Sequence, residues 1–245
     1  MNDYWSIRSK KYDNLKWTKD KVLLKQLLTF CSLKKSDSVL DAGCGTGTVA
    51  KQIVDLVSHV YASDKSQDML SKIGNHNNIH VLCKDIERDV IFEDFFDKII
   101  ARMVFHHIDN LPNAFDNCYK MLSPGGWLIV QEGGVIPEEN KEVFDWYEKM
   151  IALKEDRQNF TAEDLRCHFM NSGFSHVREK TVVDTTFSVN NWLDNSGQDE
   201  KILKQIYDLH VNAPNAVKHY YNMRIVDEEI TIDSKVLIIK GQKGT

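Results

Sequence analysis

Val39-Leu40-Asp41-Ala42-Gly43-Cys44-Gly45-Thr46-Gly47-Thr48 is the stretch whose reading decides the fold. The run from Asp37 to Asp41 reads as a buried strand, and Ala50, Ile53, Val54 and Val57 follow at helical spacing. Between them, three glycines alternate with small residues. Glycine lets a backbone turn sharply and lets a ligand approach it closely. The helix that follows offers free N–H groups to an anionic part of that ligand. The dinucleotide fingerprint wants a third glycine three positions after the second, where this chain has Thr48.

Bulk composition bounds the rest. At 245 residues the chain reads as one domain, and its 42% hydrophobic content suffices for a full core. The formal net charge is -5, without a long basic run, which argues against nucleic acid as the partner. Cys31, Cys44, Cys83, Cys118 and Cys167 are scattered with no C-x-x-C pair, the pattern of reduced thiols in a cytoplasmic protein. The first residues, Met1-Asn2-Asp3-Tyr4-Trp5, lack the apolar core of a leader, and no apolar run approaches the roughly 18 residues of a membrane span.

Downstream of the glycine turn, His59 to Asp64 reads as a second strand ending in an acid. Asp64, with Lys65 beside it, lies about twenty residues past the turn, where a βαβ unit places a carboxylate near ribose hydroxyls. The competing reading of Asp64 is a helix cap, since Asp68, Met69 and Leu70 begin a helical pattern. Ile79 to Cys83 is a third strand, followed by Lys84-Asp85-Ile86-Glu87, and Phe95 to Met103 is a fourth that leads into Val104-Phe105-His106-His107. Leu111 to Leu122 has helical spacing and is stopped by Ser123-Pro124-Gly125-Gly126. Trp127 to Val130 is the fifth strand, with Glu132 beyond its carboxyl end.

The acid before a G-x-G-x-G turn resembles motif I of class I S-adenosylmethionine-dependent methyltransferases. The ordered succession of Asp64, Asp85 and Leu-x-Pro-Gly-Gly is similar to the same family, and Met-Val-Phe-His-His-Ile resembles its ubiquinone-biosynthesis-like small-molecule group. The resemblance covers about residues 36–135. It implies an α/β three-layer sandwich around a doubly wound, seven-stranded, mostly parallel sheet in the order 3-2-1-4-5-7-6, with strand 7 antiparallel. It implies S-adenosylmethionine as the methyl donor, S-adenosylhomocysteine as product, and no metal. Donor-binding residues carried over are Tyr12, Asp41, Gly43, Cys44, Gly45, Gly47, Asp64, Lys65, Met69, Asp85, Ile86, Arg102 and Phe105. Among them Asp64 would hold the ribose, while Asp85, Ile86 and Met69 would surround the adenine. Tyr12-Asp13 matches the family's aromatic flap, and Tyr12, Trp17 and Phe105 are candidate faces for the sulfonium.

The flanks divide the chain further. Residues 1–35 read as a helical flap, residues 36–187 and 229–245 as the sheet core, and residues 188–228 as a helical lid. Pro137 is placed to open a helix running to about Glu155. Phe160 to Leu165 reads as a helix start with Asp164 in the capping-box position. Val177 to Phe187 is the sixth strand and Lys235 to Lys240 the last, paired antiparallel. On the acceptor side, Glu132, Tyr220, Tyr221 and Arg224 are candidate contacts. His106 and His107 are candidate general bases, against a reading in which they only shape the loop. As neighbours in a strand they would point to opposite faces, which disfavours a shared metal.

The sequence thus points to methyl transfer onto a small-molecule acceptor with an O, N or C nucleophile, in a monomer or homodimer. Two other readings stay open: a non-catalytic S-adenosylmethionine-binding protein and a nicotinamide-dependent oxidoreductase.

Overall fold

Residues Val39 to Ala42 are all buried, the pattern of a strand covered on both faces of a parallel sheet. In the computed structural model, which describes residues 9–133 and 140–245, that strand, β1 (Ser38–Ala42), lies at the centre. β2 (His59–Asp64) and β3 (Ile79–Cys83) add on one side of it, and β4 (Phe96–Arg102) and β5 (Leu122–Gly133) on the other, all parallel. β8 (Glu229–Gln242) then pairs antiparallel with β5 and with β6 (Ser175–Ser188). The order β3-β2-β1-β4-β5-β8-β6 reproduces the doubly wound arrangement that the resemblance implied.

An eighth strand is an addition to that expectation. β7 (Arg224–Val226) forms a tight hairpin with the start of β8, turning at Asp227 and Glu228, both at positive φ. Two-residue hairpin turns of this kind favour Asn-Gly or Asp-Gly. Asp-Glu carries no such signal, so the turn is invisible in the sequence. The expected boundaries also shift. β5 begins at Leu122 and runs through Pro124-Gly125-Gly126, and β6 and β8 are longer than their apolar cores suggested.

One apolar cluster lies on each face of the sheet. Ile99, Phe105, Phe115 and Phe169 belong to the first, and Leu27, Val49, Ile53 and Ile100 to the second. A third cluster forms beyond the carboxyl ends of the strands. There α5 (Lys141–Lys154), which follows the helices at Lys21–Cys31 (α1), Thr48–Ile53 (α2), Gln67–Leu70 (α3) and Leu111–Met121 (α4), packs against the segment between β6 and β7. That segment folds as helices Val189–Asp194, Glu200–Val211 and Asn215–Tyr220. The helix expected from Pro137 begins at Lys141, capped by Asn140, and Pro137 itself lies outside the described residues. Thr161 and Asp164 form the anticipated reciprocal cap. Among the described residues, the N-terminal segment expected to be helical forms two short 3₁₀ turns, Tyr12–Asn14 and Lys16–Lys19, before a capped helix. No helix among the described residues is long and apolar enough to cross a membrane.

Candidate functional site

The carboxyl ends of β1, β2 and β4 open onto a cavity that continues beneath the helical segment between β6 and β7. A crevice at that edge is the expected binding place in a doubly wound sheet. Its first part is the glycine turn. Gly43 and Gly45 sit at φ +64° and +55°, a region that side chains with a Cβ rarely enter. A Cβ on Gly43 would lie 2.5 Å from Val104 Cγ2, so the turn also requires close approach of two chain segments.

Asp64 fastens this turn. Its Oδ2 accepts the Gly45 N–H at 2.9 Å and its Oδ1 accepts the Ser66 N–H at 2.8 Å. Ser66, rather than Asp64, caps the following short helix. A carboxylate has about four acceptor sites, so two remain for a ligand diol. Burial raises the Asp64 carboxyl pKa above its ordinary value, with the two backbone N–H groups opposing that rise. Lys65, Met69, Asp85 and Ile86 line the same cavity. Tyr12 reaches over Gly45 and meets the edge of Trp17, and both rings line the cavity. Asp13 accepts from the Thr46 hydroxyl at 2.9 Å, tying the segment before Lys21 to the glycine turn.

Five residues carried over as donor contacts do not line the cavity. Asp41 is buried behind the turn, where its Oδ2 accepts the Ala50 N–H at 2.9 Å, and burial pushes its carboxyl up to about 7. Cys44 is buried, its N–H donating to the Ser63 carbonyl. Gly47 serves as the left-handed cap of the next helix, 3.0 Å from Ile73 when a Cβ is added. Phe105 packs inward on Phe115, ring centroids 4.8 Å apart, leaving Tyr12 and Trp17 as the aromatic faces at hand. Arg102 donates to the carbonyls of Trp17 and Thr18 and to Gln131 Oε1, and so anchors the Lys16–Lys19 turn from behind.

Past β4 the chain turns through Met103, at φ +58°, into a 3₁₀ turn at Phe105–His107. Both histidines line the cavity, with ring centroids 4.0 Å apart. Their expected opposition on a strand fails because the strand has already ended. No group of three or more potential metal-holding side chains occurs among the described residues. Glu132 organises this turn from beneath rather than from the cavity wall. Its Oε1 accepts the N–H groups of Val104 and Phe105 at 3.0 and 2.7 Å, and its Oε2 meets His106 Nδ1 at 2.5 Å. Complete burial pushes its carboxyl up to about 7, opposed by those backbone donors and by the charges of His107 and Arg157.

The far wall was largely invisible in the sequence. Trp146, Tyr147, Met150 and Ile151 come from α5, Phe187 and Trp192 from the end of β6 and the helix after it, and Ile232, Ser234, Lys235 and Val236 from β8. Apolar residues at helical spacing on α5 carry no signal that separates a cavity wall from core, and no local pattern marks Arg157. Of the acceptor candidates, Tyr221 lines the cavity, its hydroxyl buried with no hydrogen-bond partner. Tyr220, one residue away on the helix, turns from it and carries Lys235 Nζ over its ring at 3.3 Å. Arg224 is a structural clamp that binds Asp233, Thr231 and the Thr185 carbonyl, so it is not an acceptor contact.

The chain is similar in sequence to known methyltransferases. The chain is 28% identical over 171 residues to a malonyl-[acyl-carrier protein] O-methyltransferase of Bacillus cereus, covering 63% of this chain and 61% of that one. It is 26% identical over 187 residues to a ubiquinone/menaquinone biosynthesis C-methyltransferase of Coxiella burnetii, covering 69% and 71%. The crystal structure of the YcgJ protein from Bacillus subtilis superposes with a TM-score of 0.80 at 15% identity, over 91% of this chain and 98% of the other, a likeness of fold. A methyltransferase domain is matched by residues 16–179, a span that includes the glycine turn, Asp64, Asp85, the histidine pair and Arg157. The chain belongs to the methyltransferase-domain family, in agreement with its resemblance to class I S-adenosylmethionine-dependent methyltransferases.

Proposed function

We propose that the chain transfers the methyl group of S-adenosylmethionine to a small-molecule acceptor, releasing S-adenosylhomocysteine. The observation that carries this reading is the Asp64–Gly45 hydrogen bond. It holds a Cβ-free cradle and a carboxylate able to accept from a diol together in a cavity that also has Trp146, Met150, Ile151, Phe187 and Trp192 on its wall. The residues present suit the donor. Asp64 retains acceptor sites for two ribose hydroxyls, Asp85 and Ile86 offer a carboxylate and an apolar face for a base, and Tyr12 and Trp17 offer faces for a sulfonium. When bound, S-adenosylmethionine supplies a methyl on cationic sulfur, whose electron pair returns to sulfur as the acceptor displaces it.

The chain's own work is then alignment and water exclusion. Orientation of two reactants lowers a barrier by roughly 7–11 kcal/mol. Flap residues Tyr12 and Trp17 cover the donor end, and the helical segment 188–228 closes the acceptor end as a lid. Met103, Val104 and the histidines lie between the two ends. For an acceptor that must lose a proton, His106 is the base, its ring held through Nδ1 by Glu132. A base in position contributes roughly 10²–10⁴-fold.

The test is transfer of labelled methyl from S-adenosylmethionine to a fractionated small-molecule extract. Transfer that disappears in Asp64→Ala supports the reading. Donor binding without transfer to any fraction favours the non-catalytic binding protein.

A further inference from the structure

The chamber beyond the histidines is walled by Trp146, Met150, Ile151, Phe187, Trp192 and Ile232. One guanidinium, that of Arg157, stands in this apolar wall. A guanidinium has five N–H donors. Arg157 uses them sparingly: Nη2 donates to the Tyr147 hydroxyl at 2.5 Å and Nη1 to Glu155 Oε1 at a long 3.4 Å, while Nε has no partner. Buried polar groups are normally satisfied, and an orphaned one is costly.

The donor excess extends beyond Arg157. The Tyr147 hydroxyl receives a hydrogen bond from Arg157, and its own O–H finds no acceptor among the described residues. Burial raises its pKa, so it stays a protonated donor at neutral pH. Tyr221 presents a second buried hydroxyl without a partner. Other charges on the wall are engaged elsewhere. Asp184 accepts from Thr186 twice at 2.8 Å, and Lys235 lies over the Tyr220 ring. Glu155, also on the wall, is met both by Arg157 and by Lys154 Nζ at 2.9 Å, so two cations face one carboxylate there and the surplus beside the histidine turn is one of donors.

We infer that the acceptor is a small acid: an anionic oxygen bound by Arg157 and the Tyr147 hydroxyl, on an apolar body seated among the chamber's rings. This rests on the methyl-transfer reading, since it names the substrate class of that same site. A cationic amine would meet the guanidinium as a like charge. A neutral apolar molecule would leave the donors unanswered.

The experiment is calorimetric titration of the protein saturated with S-adenosylhomocysteine, using cinnamate against cinnamamide and decanoate against decanamide. Acids are expected to bind roughly ten- to hundredfold more tightly than their amides, the range of a hydrogen bond to a charged group. Arg157→Gln is expected to abolish that preference and Arg157→Lys to keep part of it, both with S-adenosylhomocysteine affinity unchanged. Equal binding of acids and amides, a preference that survives in Arg157→Gln, or no acid bound by the loaded wild type would each overturn the inference. The comparison within the wild type stands even if a variant does not fold. Failure to bind S-adenosylhomocysteine at all would instead fall on the methyl-transfer reading.

Discussion

Asp64 Oδ2 accepts the Gly45 N–H at 2.9 Å, so the acid ending the second strand fixes the glycine turn that ends the first. Parallel pairing of Asp41 with Ala62 and of Ala42 with Ser63 brings the two strand ends side by side, which is why residues 19 apart in sequence meet. Asp64→Ala leaves the N–H groups of Gly45 and Ser66 without their acceptors. Hydrogen bonds to a charged group contribute about 1.5–3 kcal/mol each. Chemical denaturation is expected to show a loss of at least that order, with the slope against denaturant unchanged.

Gly43 tests the close approach. An alanine there meets Val104 at 2.5 Å on a backbone at φ +64°. Overpacking of this kind costs about 1–3 kcal/mol. Gly43→Ala is expected to lower both the melting temperature and donor affinity. Adding Val104→Ala relieves the contact but not the backbone strain, so the double variant should recover only part of the loss. Full recovery would mean that the left-handed conformation is unimportant.

Arg102 tests how the flap is held. It grips the carbonyls of Trp17 and Thr18 and lies under the Trp17 ring, 5.4 Å from the ring centroid. Arg102→Gln should release the segment before Lys21. Limited proteolysis is expected to cut there several-fold faster than in the wild type, with KM for S-adenosylmethionine raised more than kcat is lowered. Equal proteolysis rates would show that the flap is held by Asp13 and packing alone.

Glu132 makes a prediction about pH. Its carboxyl rises from 4.5 to about 7 on folding, so between those values the folded state holds a proton that the unfolded state has released. Glu132 therefore costs increasing stability as pH rises from 4.5 to about 7, and its cost is constant above that. Glu132→Gln should be no less stable than the wild type at pH 7 and should lose that advantage toward pH 4.5. If His106 is the base, the same variant loses kcat, with donor affinity unchanged. An unchanged kcat and pH profile would leave Glu132 a scaffold of the turn only.

Legibility in the sequence followed the locality of the signals. The glycine turn and the strand order depend on short apolar runs, glycine spacing and strand-end acids, and the structure has both, with Asp64 and Asp85 on the cavity wall. Phe105 and Arg102 stand at the expected ends of elements, but which way a side chain points depends on the turn after β4, and no local pattern announces the positive φ of Met103. Tyr220 and Tyr221 show the same limit, since one helical step separates a residue on the cavity from one under Lys235. The Arg157–Tyr147 pair joins a loop cation to a helix aromatic ten residues earlier. A charged loop residue reads as solvated until the fold supplies the wall around it.

The most direct measurement of the central claim is calorimetric titration of S-adenosylhomocysteine into the wild type and into Asp64→Ala. Saturable binding at one site per chain is expected for the wild type, weakened at least tenfold in the variant while the variant remains folded by circular dichroism. A folded wild type that gives no heat and no rise in melting temperature with S-adenosylhomocysteine would contradict the donor site, as would full affinity retained without Asp64.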